Sequence, residues 1–192
     1  MVSMMKTFEQ FLLEARDLDL SRLKKAYSQG RKIYILVGGT LGAGKTTWVK
    51  NNLPEFEILD TDDFSMKLAG GSVDPEDLKR VSSQALADKK KAVSGNLYTG
   101  RSFVDMGTSA NTGAAIDKIK TAKKLGYLTV YLHFMTTPEE AKRRNRERIA
   151  SGGRGVVPEK EFKIDRVYHD AMFTLDEMKS IRQVDFILEV DN

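Results

Sequence analysis

The chain has 192 residues, 41% of them apolar and 30% charged, with a net charge of +4, values of a soluble globular protein of about one ordinary domain. It contains no cysteine and two histidines, which excludes disulfides, thiolate metal sites, cysteine nucleophiles and a histidine-rich metal cage. No apolar run approaches the roughly 18 residues that cross a bilayer, and no basic-then-apolar leader marks secretion, so the expected location is the cytoplasm, with no membrane partner.

Residues 5–28 read as helical, with Phe8, Phe11, Leu12 and Ala15 on one apolar stripe and Leu20, Leu23 and Tyr27 on another. They form a helical N-terminal extension, residues 1–30, ahead of a main domain at 31–192. Gly30 stops the helix, and Ile33–Val37 is a continuous apolar run of the kind buried on both faces of a parallel sheet. Further strand-like runs lie at Phe56–Asp60, Ser102–Asp105, Leu128–Phe134 and Val184–Val190. Helical patterns fall between most of them, at Thr46–Asn52, Pro75–Val93, Thr112–Leu125, Pro138–Ala150 and Pro158–Ser180. This alternation predicts a three-layer α/β domain with a five-stranded, mainly parallel sheet. The basic run Lys89–Lys91 reads as a solvated helix face.

Gly39-Thr40-Leu41-Gly42-Ala43-Gly44-Lys45-Thr46 is a full match to G-x-x-x-x-G-K-[ST]. Phosphate oxygens need several backbone N–H groups aimed at one point, and glycines let the chain wrap that tightly. The helix starting near Lys45 adds its positive end. Lys45 supplies charge for the β- and γ-phosphates of ATP, and the Thr46 hydroxyl is a ligand for Mg²⁺. Thr47 continues the nucleotide-binding stretch. Trp48, on the helix after this P-loop, reads as packing rather than base stacking.

The run Leu59-Asp60-Thr61-Asp62-Asp63-Phe64 puts three carboxylates at the C-terminal edge of the second strand, where open α/β sheets bind ligands. Carboxylates there can hold Mg²⁺, contact the substrate or take a proton from an attacking hydroxyl. The competing role is capping, with Asp60 or Thr61 starting a helix near Asp62. This constellation resembles the zeta-toxin group of kinases and their polynucleotide-kinase-like relatives. That resemblance, covering about residues 32–175, implies a kinase-type P-loop fold and makes Asp62 the base that receives the acceptor proton. It also makes Asp105 and Thr108, in Ser102-Phe-Val-Asp-Met-Gly-Thr108, contacts to the acceptor. The sequence departs from the family in having aspartate for glutamate at Asp105 and no arginine after the turn. Apart from the family, Asp105 ends an apolar strand as a Mg²⁺-binding aspartate of P-loop proteins does; alternatively it caps a turn.

Arg144 and Arg148 lie four apart and share a helix face with Ala141. The glycines at 152, 153 and 155 make the next segment pliable, a lid at about 151–157 that carries Arg154. Arginines on such a lid neutralise charge on a transferring phosphoryl group. The resemblance likewise matches Arg148 and Arg154 to phosphate contacts, with Arg144 as companion, while Lys142, Arg143 and Arg146 read as a solvated face. The segment Met5–Ala15 resembles the amphipathic leaders of T-even-like phage proteins, some packaged in the capsid, which would imply a phage origin and the host cytoplasm. It also reads as a helix packed on its own domain.

The expected activity is transfer of the γ-phosphoryl group of ATP, with Mg²⁺, to a hydroxyl of a small acceptor such as a nucleotide, nucleotide sugar or dinucleotide. In that reading Asp60 and Asp105 join Thr46 at the metal, and Asp60, Asp63, Asp105 and Thr108 face the substrate. A polynucleotide 5′-hydroxyl kinase is the alternative, using Lys79, Arg80 and Lys89–Lys91 as a basic channel. A nucleotide-dependent switch without an acceptor is a second alternative, for which the Asp62 cluster and the arginines are surplus.

Overall fold

The computed structural model describes residues 20–152, 155–156 and 160–191. Its elements in chain order are α1 (Leu20–Ser28), β1 (Ile33–Gly39), α2 (Lys45–Asn52), β2 (Glu57–Leu59), α3 (Thr61–Leu68), α4 (Pro75–Thr99), β3 (Phe103–Asp105), α5 (Thr112–Lys124), β4 (Leu128–Met135), α6 (Pro138–Ala150), α7 (Phe162–Ser180) and β5 (Phe186–Asp191). The strands form one sheet in the order β2-β3-β1-β4-β5. All four pairings are parallel, so the sheet expected to be mainly parallel is wholly so among the described residues. Of the helix predicted over 5–28, residues 5–19 lie outside them and the rest is α1.

Every residue of β1 is buried, as an all-apolar central strand requires. Successive side chains of a strand point to opposite faces. Ile33, Ile35 and Val37 therefore enter one core with Val130, Leu132, Phe134 and residues of α1 and α2. Tyr34 and Leu36 enter the other with Phe103, Tyr131 and residues of α4, α5 and α7. These two cores make the three layers, and each large apolar side chain they hide contributes about 1.5–3 kcal/mol. Trp48 packs edge-on against Phe134, with ring centroids 5.5 Å apart, consistent with its reading as a packing residue.

One element follows the competing reading of its acidic residues, and one runs longer than expected. The short helix α3 follows β2 directly because the Asp60 side chain caps it, accepting from Asp62 N at 3.1 Å. The helix α4 continues past Val93 to Thr99 and ends at Gly100, which takes the left-handed conformation. The added turn is held from outside: Asn96 donates to Glu57, and the Tyr127 hydroxyl donates to the carbonyls of Asn96 and Leu97.

Candidate active site

The site begins where β1 runs out. Gly38 and Gly39 still pair with β4, and the chain then turns into α2 at Lys45. A Cβ on Gly38 would stand 2.1 Å from the Tyr131 hydroxyl, so the tyrosine from the neighbouring strand occupies the side chain's place. Gly42 has φ +79° and passes so close to α6 that a Cβ would lie 2.9 Å from the Ala141 carbonyl. Gly44 precedes α2 without a side-chain cap. The first N–H groups of that helix are thus left for an anion. The Lys45 ammonium folds back over the loop, donating to the carbonyls of Gly39 at 3.1 Å and Thr40 at 2.6 Å.

Across from the loop stands the end of β2. Asp60 uses one carboxylate oxygen to cap α3 and the other to accept from the Thr46 hydroxyl at 3.4 Å. Capping and siting are therefore both true of Asp60. A pocket of about 250 Å³ is lined by residues 41–47, Asp60, Thr61, Asp62, Met106, Gly107, Thr108 and Arg148. Burial pushes the Lys45 ammonium down to about 8; Asp60 and Asp62 pull it back up, while Arg148 opposes them. Asp60, Asp62 and Arg148 thus all act on Lys45 through space. Asp63, by contrast, is exposed and does not line the pocket.

Of the arginines on α6, Arg148 lines the pocket and Arg144 does not: its Nε donates to Glu140 at 2.6 Å. Arg143 pairs with Glu140 and Glu147. Lys142 pairs with Asp165 and Arg146 with Glu161, both at 2.6 Å, so these two tie α6 to α7 and its approach; Lys142 is half-buried there, while Arg146 stays exposed as a solvated face does. Arg154 lies outside the described residues. The part of the lid segment that is described is held by Asn145, whose side-chain amide donates to the Val156 carbonyl at 2.6 Å and accepts from its N–H at 2.7 Å.

Asp105 is placed differently from the expectation of a magnesium ligand. It has no exposed surface and is absent from the lining of the phosphate pocket. Lys89 Nζ lies 2.7 Å from Oδ1, while Lys118 and the Tyr34 hydroxyl donate to Oδ2 at 2.8 and 2.9 Å. Burial alone would raise this carboxyl, but the two ammoniums outweigh it and hold it below the ordinary value. Lys89, expected on a solvated face, is buried and also donates to the Met106 carbonyl. The sequence carried a signal for this: Lys89 falls four residues after Ala85 and four before Val93, on the buried stripe of α4. The pair Tyr131 and His133 was also missed. The Tyr131 hydroxyl is 3.2 Å from His133 Nδ1, and both residues are buried in β4.

Among the described residues no group of three or more histidines, aspartates or glutamates could hold a metal by itself. The Thr46 hydroxyl and Asp60 carboxylate form a hard oxygen pair beside the phosphate cradle. Such a pair fits Mg²⁺, which is ordinarily bound by one or two protein oxygens together with phosphates and water.

A family model described as an AAA domain matches residues 35–168. No curated protein matches the chain. Similar solved structures include one from the characterisation of the PezAT chromosomal toxin–antitoxin system of Streptococcus pneumoniae, 19% identical, with a TM-score of 0.64 over 97% of this chain and 78% of that one. A putative kinase from Chloroflexus aurantiacus is 18% identical, with a TM-score of 0.59 over 83% and 84%. A chain of the Pnkp1/Rnl/Hen1 RNA repair complex is 17% identical, with a TM-score of 0.58 over 77% of this chain and 46% of that one. At these identities the likeness is one of fold, a P-loop kinase-like fold, and it agrees with the resemblance read from the sequence. No described helix is long and apolar enough to cross a membrane.

Proposed function

Since the chain belongs to the AAA domain family, we propose from its site that it is an ATP-dependent kinase that moves the γ-phosphoryl group to a hydroxyl of a small acceptor. The observation that carries this reading is convergence. The Lys45 loop, Asp60, Asp62 and Arg148 line one pocket, although they come from three separate stretches of sequence. A nucleotide switch needs the loop and a metal ligand; an exposed carboxylate and an arginine at the same pocket suit transfer.

In this account the N–H groups of the loop and the Lys45 ammonium bind the phosphates. Mg²⁺, when bound, supplies charge neutralisation there, and Thr46 and Asp60 are the residues that would hold it. Asp62 is the base: the acceptor oxygen attacks the γ-phosphorus, the bond to the β,γ-bridging oxygen breaks, ADP leaves, and the acceptor proton passes to Asp62. Arg148 faces the charge that spreads over the transferring group. Arg154 has the same assignment from the sequence pattern. Of the basic residues of α4 that a polynucleotide channel would use, Lys89 is withdrawn from it, buried against Asp105.

Asp62→Asn tests the base. With γ-labelled ATP and a small-metabolite extract, the wild type should move label to an organic product and the variant should move less by at least ~100-fold. A fluorescent ATP analogue should bind both alike. Near-normal transfer by the variant would remove Asp62 from this role.

A further inference from the structure

The far edge of the sheet, where the strands begin, carries a row of cations. Arg101 precedes β3, Arg31 and Lys32 precede β1, Lys124 ends α5 before β4, and Arg182 precedes β5. These strands are neighbours in the sheet, so the row runs about 15 Å across it at the usual strand spacing. The connections interlock at one level. Lys32 lies 5.3 Å from the centre of the Tyr127 ring and donates to the Leu125 carbonyl at 2.9 Å, and the Tyr127 hydroxyl donates to the Arg101 carbonyl at 3.1 Å. Ser102 Oγ accepts from Ile33 N at 2.9 Å. The strand β1 is seven residues long, which sets this edge about 20 Å from the phosphate loop.

The acids that start or precede these strands and β2 are already committed. Glu55 lies 3.9 Å from Lys24, Asp185 pairs with Lys123, and Glu57 accepts from Asn96 at 2.8 Å. Arg31, Arg101, Lys124 and Arg182 are exposed and form no ion pair with another described residue. Like charges gathered in this way repel one another, and a polyanion laid along them relieves that repulsion. Most of them are arginines, whose planar fork suits phosphate oxygens. Tyr98 stands in the last turn of α4, shortly before Arg101, and at 81% exposure it is the most exposed large apolar or aromatic residue among those described. A ring left in water has no packing role there; it offers a face on which a base stacks. A double helix keeps its bases paired and stacked, so such a ring points to an unpaired strand.

We propose that this edge binds a single-stranded nucleic acid, its phosphates held by Arg31, Arg101, Lys124 and Arg182 and one base stacked on Tyr98. The surface is separate from the phosphate pocket, so the strand and ATP occupy the protein together, and the inference stands whether or not the kinase reading does.

The test is fluorescence anisotropy of the whole protein with a labelled single-stranded oligonucleotide of mixed sequence, with and without Mg²⁺ and a non-hydrolysable ATP analogue. Saturable binding should be unchanged by the analogue, and log affinity should fall against log salt with a slope of about 3, from roughly four phosphate contacts at about 0.7 each. Arg31→Gln with Arg101→Gln should lower that slope by about 1.4 and weaken binding at least ~10-fold. Tyr98→Ala should weaken binding at least ~5-fold with the slope unchanged, and Tyr98→Phe should restore it. These side chains are exposed, so an unchanged melting point reports that each variant is folded. Lys79→Gln with Arg80→Gln, at exposed positions nearer the start of α4, should bind as the wild type does. No saturable binding, competition by the analogue, or as large a loss in that α4 pair as in Arg31→Gln with Arg101→Gln would overturn the inference. Tighter binding to the duplex of the same sequence would overturn it in favour of a double helix. Tighter binding to phosphatidylserine vesicles, with no loss in Tyr98→Ala, would overturn it in favour of a lipid surface.

Discussion

At about pH 8.5, binding of Mg-ADP should draw a proton out of solution, and the size of that uptake follows from Lys45. Its ammonium is pushed down to about 8, by burial first and with Arg148 adding to it, against the pull of Asp60 and Asp62. At that pH about a quarter of the free protein carries the charge. Phosphates bound beside it favour the charged form and return it towards its ordinary range near 10.4. Binding then takes up about 0.7 proton at pH 8.5 but only about a quarter of one at pH 7.5. Nucleotide affinity should be level below about pH 8 and fall by up to about tenfold per unit above it. The sign for the free fold is opposite. A lysine depressed in the folded state costs stability at low pH, and that cost is relieved as pH rises from about 8 towards 10.4. Calorimetric titration in buffers of different ionisation enthalpy reads the uptake directly as a slope. A slope of zero at pH 8.5, or an equal slope in Lys45→Met, would refute the placement of this ammonium.

Two further outcomes concern the strands beneath the loop. Gly38→Ala should cost about 1–3 kcal/mol in chemical denaturation, because the new methyl meets the Tyr131 hydroxyl; Tyr131→Phe in the same chain should recover part of that loss, and strictly additive effects would contradict the contact. Burial pushes the buried His133 down to about 4, with Lys45 and Lys179 repelling its charged form, so the unfolded chain takes its proton first. Stability should therefore fall between about pH 6.5 and 4, by up to roughly 3 kcal/mol from this residue. Urea melts of His133→Gln should show a flatter acid limb, and an unchanged limb would remove His133 as its cause.

The parts of the fold that were legible in the sequence are those whose cause is local. The apolar runs of β1 and β4 follow from burial on both faces. The helix α6 begins at Pro138 as expected because the Thr137 hydroxyl caps it and two glutamates follow in its first turn. The helix α3 spans only eight residues, so its periodicity is too brief to show, and only the capping residues at its start pointed to it. The last turn of α4 contains Gly95 and Asn96 and is stabilised by Glu57 and Tyr127, partners no local pattern contains. The phosphate cradle was legible for the same reason as α6, since its geometry depends on closely spaced glycines within six residues of one another. Asp105 was not. Its partners Lys89 and Lys118 sit 16 residues before it and 13 after it, on different helices, and only the packing of α4 and α5 on the sheet brings them together.

Transfer of a phosphoryl group to a small hydroxyl compound is open to direct measurement. It is tested most directly by incubating the protein with ATP and Mg²⁺ against uridine, uridine monophosphate, a uridine diphosphate sugar, NAD and a 5′-hydroxyl oligonucleotide, with products read by mass spectrometry and Lys45→Ala as the blank. The expected result is a product heavier by one phosphoryl group among the small compounds, absent from the blank. Phosphate on the oligonucleotide alone, or ADP formed without any phosphorylated product, would contradict it.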